Sequence, residues 1–333
     1  MGALAVTNPT LLDVSKRLDP NGKIDMIAEL LTETNEVLED MTWIEGNLAT
    51  GHRTTIRSGL PEPTWRKLYG GVQPTKSRTL QVTDNCGMLE AYAEVDKALA
   101  DLNGNAAAFR LSEDRAHIEG MNQALATTLF YGDEATYPER FTGLAPRFNL
   151  TTAENGSNVI KGSSNDTDNT SIWLVCWGPN TVHGIYPKGS RAGLQMTDKG
   201  QVTIEDANGS NGGRYEAYRT HYRWDCGLTV RDWRYIVRIP NIEVSDLTKN
   251  AASGDDLIDL MAQALELLPS MKMGRPVFYC NRTIKSFLRR QIANKVASST
   301  LTMDQVAGKH VLTFDGVPVK RCDAILNTET AIS

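Results

Sequence analysis

The sequence predicts an α+β protein with unusually long strands. Apolar and polar residues alternate from Tyr218 to Val230, and an apolar 3.6-residue period follows Ser112. Asp315-Gly316 sits between two short β-capable runs near the end of the chain. The 333 residues show no internal repeat and are long enough to bury a real core.

Taken in order, residues 24–44 read as an amphipathic helix, with Ile27, Leu30, Leu31, Leu38 and Met41 on one face. From Thr50 to Thr83 the chain turns polar and basic and is broken by Gly51, Gly59, Pro61, Pro63, Gly70, Gly71 and Pro74. Thr54–Ile56 and Thr79–Val82 are β-capable runs at either end of that stretch. An extended hairpin or long projecting loop is expected there. Ser112 is a candidate N-cap for a helix carrying Ile118, Met121, Leu125 and Leu129 to Gly132. Residues 143–170 are turn-rich and are expected to form a subdomain boundary or surface excursion.

The alternation over 218–230 predicts a half-buried strand of roughly 43 Å. Its phase flips at Trp233, which predicts a bulge or bend near Asp232. A helix capped by Ser253 and stopped by Pro269 follows. Then come a buried strand over Val277–Cys280 and a second helix capped by Asn281. A hairpin pairs His310–Phe314 with Val317–Arg321.

Charged residues are 23% of the chain and apolar ones 41%, with a formal net charge of −5 and mean hydropathy of −0.33. The longest apolar run, Ile172–Trp177, is far short of the roughly 20 residues of a membrane-spanning helix. The five cysteines have no close pair and predict reduced, mostly buried thiols. The slight acidity disfavours a dedicated nucleic-acid-binding module.

Charge is nevertheless segregated. Residues 1–49 carry nine acids against three bases, and residues 50–80 carry six bases against Glu62 alone. Adjacent segments of opposite sign can pair within a molecule or between copies. They can equally be plain solvated surface; if the pairing is between copies, the interface residues are Glu36, Glu39 and Asp40 on the acidic side, with Arg53, Arg57, Arg66, Lys67, Lys76 and Arg78 on the basic side. Trp65 and Tyr69 join them, because aromatic residues favour contact surfaces. Arg282, Lys285 and Arg289 share a helix face within residues 270–300, which hold seven bases and no acid. That face could meet a phosphate backbone, another subunit or a lumen.

Catalytic signatures fail. Gly22-Lys23-Ile24 and Gly308-Lys309-His310 lack the Ser or Thr of a phosphate loop. Ser190 stands one place early for a nucleophile elbow, and the acidic run from Asp166 lacks the glycine and glutamate of a calcium loop. The five histidines have no zinc spacing. No enzymatic activity, cofactor or metal is expected. The aromatic residues between Trp173 and Tyr235 read as strand packing rather than as a sugar or base platform.

Gly59-Leu60-Pro61-Glu62-Pro63-Thr64-Trp65-Arg66-Lys67-Leu68-Tyr69 runs on through Lys76–Val82 to Leu89–Asp96. Together with the order of elements, that stretch resembles the major capsid proteins of tailed bacteriophages, which have the Hong Kong 97-type (Johnson) fold. Phe141–Leu144 and Trp177–Gly184 are similar to the short-tailed phage subgroup. The resemblance implies an N-terminal arm over 1–49 and an extended loop (E-loop) over 50–82 that lies across a neighbour. It also implies a peripheral domain over 83–150 with a spine helix at 112–132, and a mainly axial region over 151–300. The domain membership of the C-terminal hairpin, 301–333, is left open.

The function implied is self-assembly, through pentamers and hexamers, into an icosahedral shell enclosing packaged double-stranded DNA. The chain would be made in the bacterial host cytoplasm and reside in the virion, with no membrane involved. The short arm leaves little room for a cleaved scaffolding extension, so a separate scaffolding protein is implied. A portal, a decoration or cement protein and non-specific DNA contact are further implied partners. Some relatives cross-link a loop lysine to an asparagine, a role open to Lys67 or Lys76. A tail or decoration component of the same particle is the competing reading.

Overall fold

The computed structural model describes residues 33–102, 105–163, 168–205, 213–247, 255–294, 301–306 and 309–332. Helices are α1 (Val37–Asp40), α2 (Lys97–Asp101), α3 (Ala106–Tyr131), α4 (Leu257–Glu266) and α5 (Arg282–Asn294). Strands are β1 (Trp43–Glu45), β2 (Gly51–Gly59), β3 (Arg78–Asp96), β4 (Asn169–Trp177), β5 (Val182–Tyr186) and β6 (Gln195–Glu205). They continue with β7 (Arg214–Val230), β8 (Ile236–Glu243), β9 (Arg275–Cys280), β10 (Leu301–Val306), β11 (Lys309–Phe314) and β12 (Val317–Arg321).

Two compact units divide these elements. The larger holds Thr34–Gly87, Ala126–Ala192 and the chain from Cys226 onward. Its sheet runs β10-β11-β12-β9-β4-β5-β7-β3-β2, with β1 parallel to β5 and β8 antiparallel to β4. Every residue of β4 is buried, because both faces of this strand are covered. Ile172, Leu174 and Cys176 point into a cluster with Leu257, Met261 and Leu265 of α4 and Ile284 and Leu288 of α5. Trp173 faces the other way and packs against Phe130 and Phe148, with ring centroids 6.0 and 6.2 Å away. Each of these large side chains contributes about 1.5–3 kcal/mol by leaving water.

The second unit contains Met88–Leu125 and Gly193–Asp225. Here β6 and β7 form an antiparallel hairpin, and α3 packs Met121 against Ala93 and Tyr222. Val95, Ala100 and Phe109 form a second small core.

Several expectations are met closely. Asn281 Oδ1 accepts the Ile284 amide at 2.9 Å and caps α5. Asp315 and Gly316 take φ of 47° and 78° between β11 and β12, the left-handed pair that a tight hairpin turn requires. Asp232 marks the bend after β7, where its carboxylate accepts the Arg234 amide and opens a 3₁₀ turn.

Others are corrected. The helix expected over 24–44 lies outside the described residues up to position 32. Beyond that only Val37–Asp40 is helical, because Trp43–Glu45 extends to pair with Gly184–Tyr186. The helix expected from Ser112 begins earlier, at Ala106, where Asn105 Oδ1 accepts the Ala108 amide at 3.2 Å. Ser253 falls outside the described residues, and α4 is capped by Asp256, which accepts the Ile258 and Asp259 amides. Of the turn-rich stretch 143–170, residues 164–167 lie outside the described residues, and 149–150 and 152–154 are exposed, but much of the rest is held inward. Leu144, Phe148, Asn158 and Val159 are buried, and Asn158 Nδ2 donates to the Ile236 carbonyl at 2.8 Å. Finally, β7 is half-buried only at first. Residues 225–229 are buried on both faces, where the strand enters the larger sheet between its neighbours.

Candidate assembly interface

β-branched Thr54, Thr55 and Ile56 oppose Val82, Gln81 and Leu80, so β2 and β3 pair without interruption from Gly51↔Asn85 to Arg57↔Thr79. The register then slips at Gly59↔Arg78, and residues 60–77 form no strand. Pro61, Pro63 and Pro74 lack the amide a ladder needs, which ends the pairing there. Gly70 N donates to Lys67 O at 3.0 Å to close a turn, and Tyr69 sits at φ 66° within it.

The tip of this hairpin touches little of its own chain. Trp65 is 100% exposed, Leu68 86% and Leu60 76%, and Tyr69 is also fully in solvent. Arg57, Arg66, Lys67, Lys76 and Arg78 are exposed and make no ion pair among the described residues. Arg53 donates from Nε to Thr83 Oγ1 at 3.0 Å, a hydrogen bond across the hairpin. An indole and a phenol held in water beside unpaired cations make a surface suited to binding rather than to folding.

The acidic residues lie elsewhere. Asp40 accepts Lys320 Nζ at 2.6 Å and the Tyr279 hydroxyl at 2.7 Å. Tyr279 in turn accepts the Trp177 indole N–H at 2.8 Å. Burial, followed by the Asp40 charge, holds the Tyr279 phenol well above its ordinary pKa. Glu36 accepts the Arg321 amide at 3.4 Å and stands 3.6 Å from Lys285 Nζ. Glu39 is exposed. Within one chain, the structure therefore brings Glu36 and Asp40 to the C-terminal strands and α5, not to the basic loop.

The basic face of α5 is partly neutralised in the same way. Arg282 lies 3.2 Å from Asp323, Lys285 meets Glu36, and Arg289 remains exposed. Asp323 also accepts Arg321 Nε at 2.7 Å and the Thr34 amide at 3.1 Å. Sequence reading missed Lys320 and Arg321 as partners, since they stand some 280 residues from the acids they meet. It also missed Met88 and Tyr92, exposed on the second unit, although the alternation of β3 continues to them.

No cluster of three or more metal-ligating side chains occurs among the described residues, and no described helix is long and apolar enough to cross a membrane. None of the five cysteines is in a disulfide. Burial pushes the Cys176 thiol up to about 11 and Cys280 up to about 12.

Comparison with known proteins identifies the architecture. The family model for major capsid protein GP7 matches residues 19–333. A chain of the near-atomic-resolution structure of bacteriophage epsilon15 is 41% identical, with a TM-score of 0.79, over 100% of this chain and 99% of that one. Weaker likenesses, each 11% identical, are the bacteriophage JBD30 capsid and the capsid of a native GTA particle. The first has a TM-score of 0.45, over 89% of this chain and 93% of that one; the second has 0.43, over 71% and 99%. No curated protein matches the chain. The mixed α+β architecture is the Hong Kong 97-like fold of phage capsids. With a family match across nearly its whole length and a phage relative sharing its fold from end to end, the chain belongs to the major capsid protein GP7 family and forms the shell of a phage particle.

Proposed function

We propose that this capsid protein assembles through pentamers and hexamers into an icosahedral shell around packaged double-stranded DNA, with residues 50–82 laid across a neighbouring subunit as an E-loop. One observation carries the reading: the exposed aromatic and cationic tip at Trp65–Tyr69, which its own chain leaves uncovered. A closed shell buries each subunit against several identical neighbours, so side chains without work in their own core find it in the next copy. Because Glu36 and Asp40 are engaged within the chain, the acid that receives the loop's cations lies elsewhere on the neighbour, and Glu39 remains available.

On this reading α3 is the spine of a peripheral domain within 83–150, and residues 151–300 supply most of the axial region. The role is structural rather than catalytic. A separate scaffolding protein, a portal and a decoration protein complete the particle, which is assembled in the host cytoplasm. Exposed bases such as Arg289 touch DNA phosphates without reading sequence.

The test is the triple charge reversal Arg57→Glu, Arg66→Glu, Lys67→Glu, expressed with and without the scaffold. Electron microscopy and sedimentation should show folded subunits or capsomers and no closed shells. Normal shells from this variant would overturn the assignment of the loop.

A further inference from the structure

The root of the projecting hairpin, where β2 and β3 join the larger sheet, carries a pair of histidines. His52 on β2 contacts His183 on β5 edge-to-face, with ring centroids 5.8 Å apart and planes at 74°. His183 is 1% exposed and stands opposite Thr229 of β7. Neither His183 ring nitrogen, nor the Thr229 hydroxyl, has a hydrogen-bond partner among the described residues, although the Gly178 backbone lies beside the ring. His52 Nδ1 accepts the Asn47 amide at 3.3 Å, which fixes a neutral ring there.

We propose that His52 and His183 form a proton-operated latch between the root of the loop and the core sheet. With both rings neutral, the two imidazoles pack as one contact. A proton on His183 would place a cation in a buried site where only the Gly178 backbone favours it, and burial outweighs that. The charged groups around the pair decide this. Arg231, after β7, acts on both rings with the same sign as an imidazolium. Asp84 stands opposite His52 on β3 and favours a proton there, but Arg147 holds Asp84 Oδ1 at 2.8 Å and burial outweighs the Asp84 charge. Burial, then the neighbouring His52, pushes the His183 pKa down to about 4, and burial lowers that of His52 as well. The closed root therefore excludes a proton that the open root takes up, so acid favours opening.

The experiment is hydrogen–deuterium exchange on the full-length subunit at about pH 7 and about pH 4.5, corrected for intrinsic exchange rates. Acid should cut protection of β2 and β5 about tenfold while the β4–β9 ladder keeps its protection. His183→Gln should remove that difference. Arg231→Gln, a change at an exposed side chain, should make it smaller by relieving like-charge repulsion. Protection of the root that does not change with pH would overturn the latch. So would the same loss in either variant, or a loss shared equally by the β4–β9 ladder.

Discussion

Arg238 meets Glu329 at 2.7 Å, with the two side chains only 5% and 4% exposed. The pair is buried and fully dressed. Arg238 also donates to the Phe148 carbonyl at 2.9 Å and the Ser171 hydroxyl at 3.2 Å, and its guanidinium lies over the Trp173 ring. Glu329 accepts further hydrogen bonds from Ser171 and Tyr131. Burial and then the Glu329 charge raise the Tyr131 phenol far above its usual pKa, so it stays a donor.

Removing one member leaves the other charged and dry. Arg238→Met alone or Glu329→Leu alone should each cost about 3–5 kcal/mol. The double variant should cost less than the two together. Urea unfolding of dissociated subunits measures all three.

Asp40 stitches α1 to β9 and β12, through Tyr279 and Lys320. Asp40→Ala leaves the buried Tyr279 hydroxyl without its acceptor and should destabilise the subunit by about 2–3 kcal/mol in the same assay. A change seen only in shell assembly, with unfolding unaltered, would place Asp40 at an interface instead.

Asp323 supplies a pH dependence whose sign is fixed. Burial raises its pKa, but Arg321, the Thr34 amide and Arg282 outweigh that and hold it below the ordinary carboxylate value. Its stabilisation is therefore complete above about pH 4 and fades as pH falls through the lowered pKa. Asp323→Asn should be less stable than the parent at neutral pH, and the gap should close in acid. Denaturant titrations at several pH values read this directly.

Trp65 and Tyr69 should separate folding from assembly. Replacing both with Ala should shift subunit stability by no more than about 0.5 kcal/mol, since neither is buried. The yield of closed shells should fall sharply by light scattering.

What could be read from sequence was what neighbouring residues decide together. The cap at Asn281, the turn at Asp315-Gly316, the bend at Asp232 and the projecting basic hairpin are all local, and all are present. The misreadings arise where distant partners intervene. Trp43 is drawn out of helical periodicity by Gly184, and the turn-rich stretch before β4 is pulled inward by Asn158 reaching under β8. At the candidate interface, the exposed tip was legible from its prolines, glycines and bases. The destinations of Glu36 and Asp40 were not, because opposite charge names many possible partners and only the fold selects one.

The stitch between Asp40 and Lys320 also sets an order of events during synthesis. At roughly 5–20 residues per second, the ribosome takes about 15 to 55 s to travel the 280 residues between them. Throughout that interval α1 lacks the strand that holds it, and β9, once made, still waits for β12, its parallel neighbour. The hairpin of β2 and β3 needs no such delay, since its two strands leave the ribosome almost together. The exposed tip that we propose meets other copies is thus made early, while the sheet of its own subunit waits for β11 and β12.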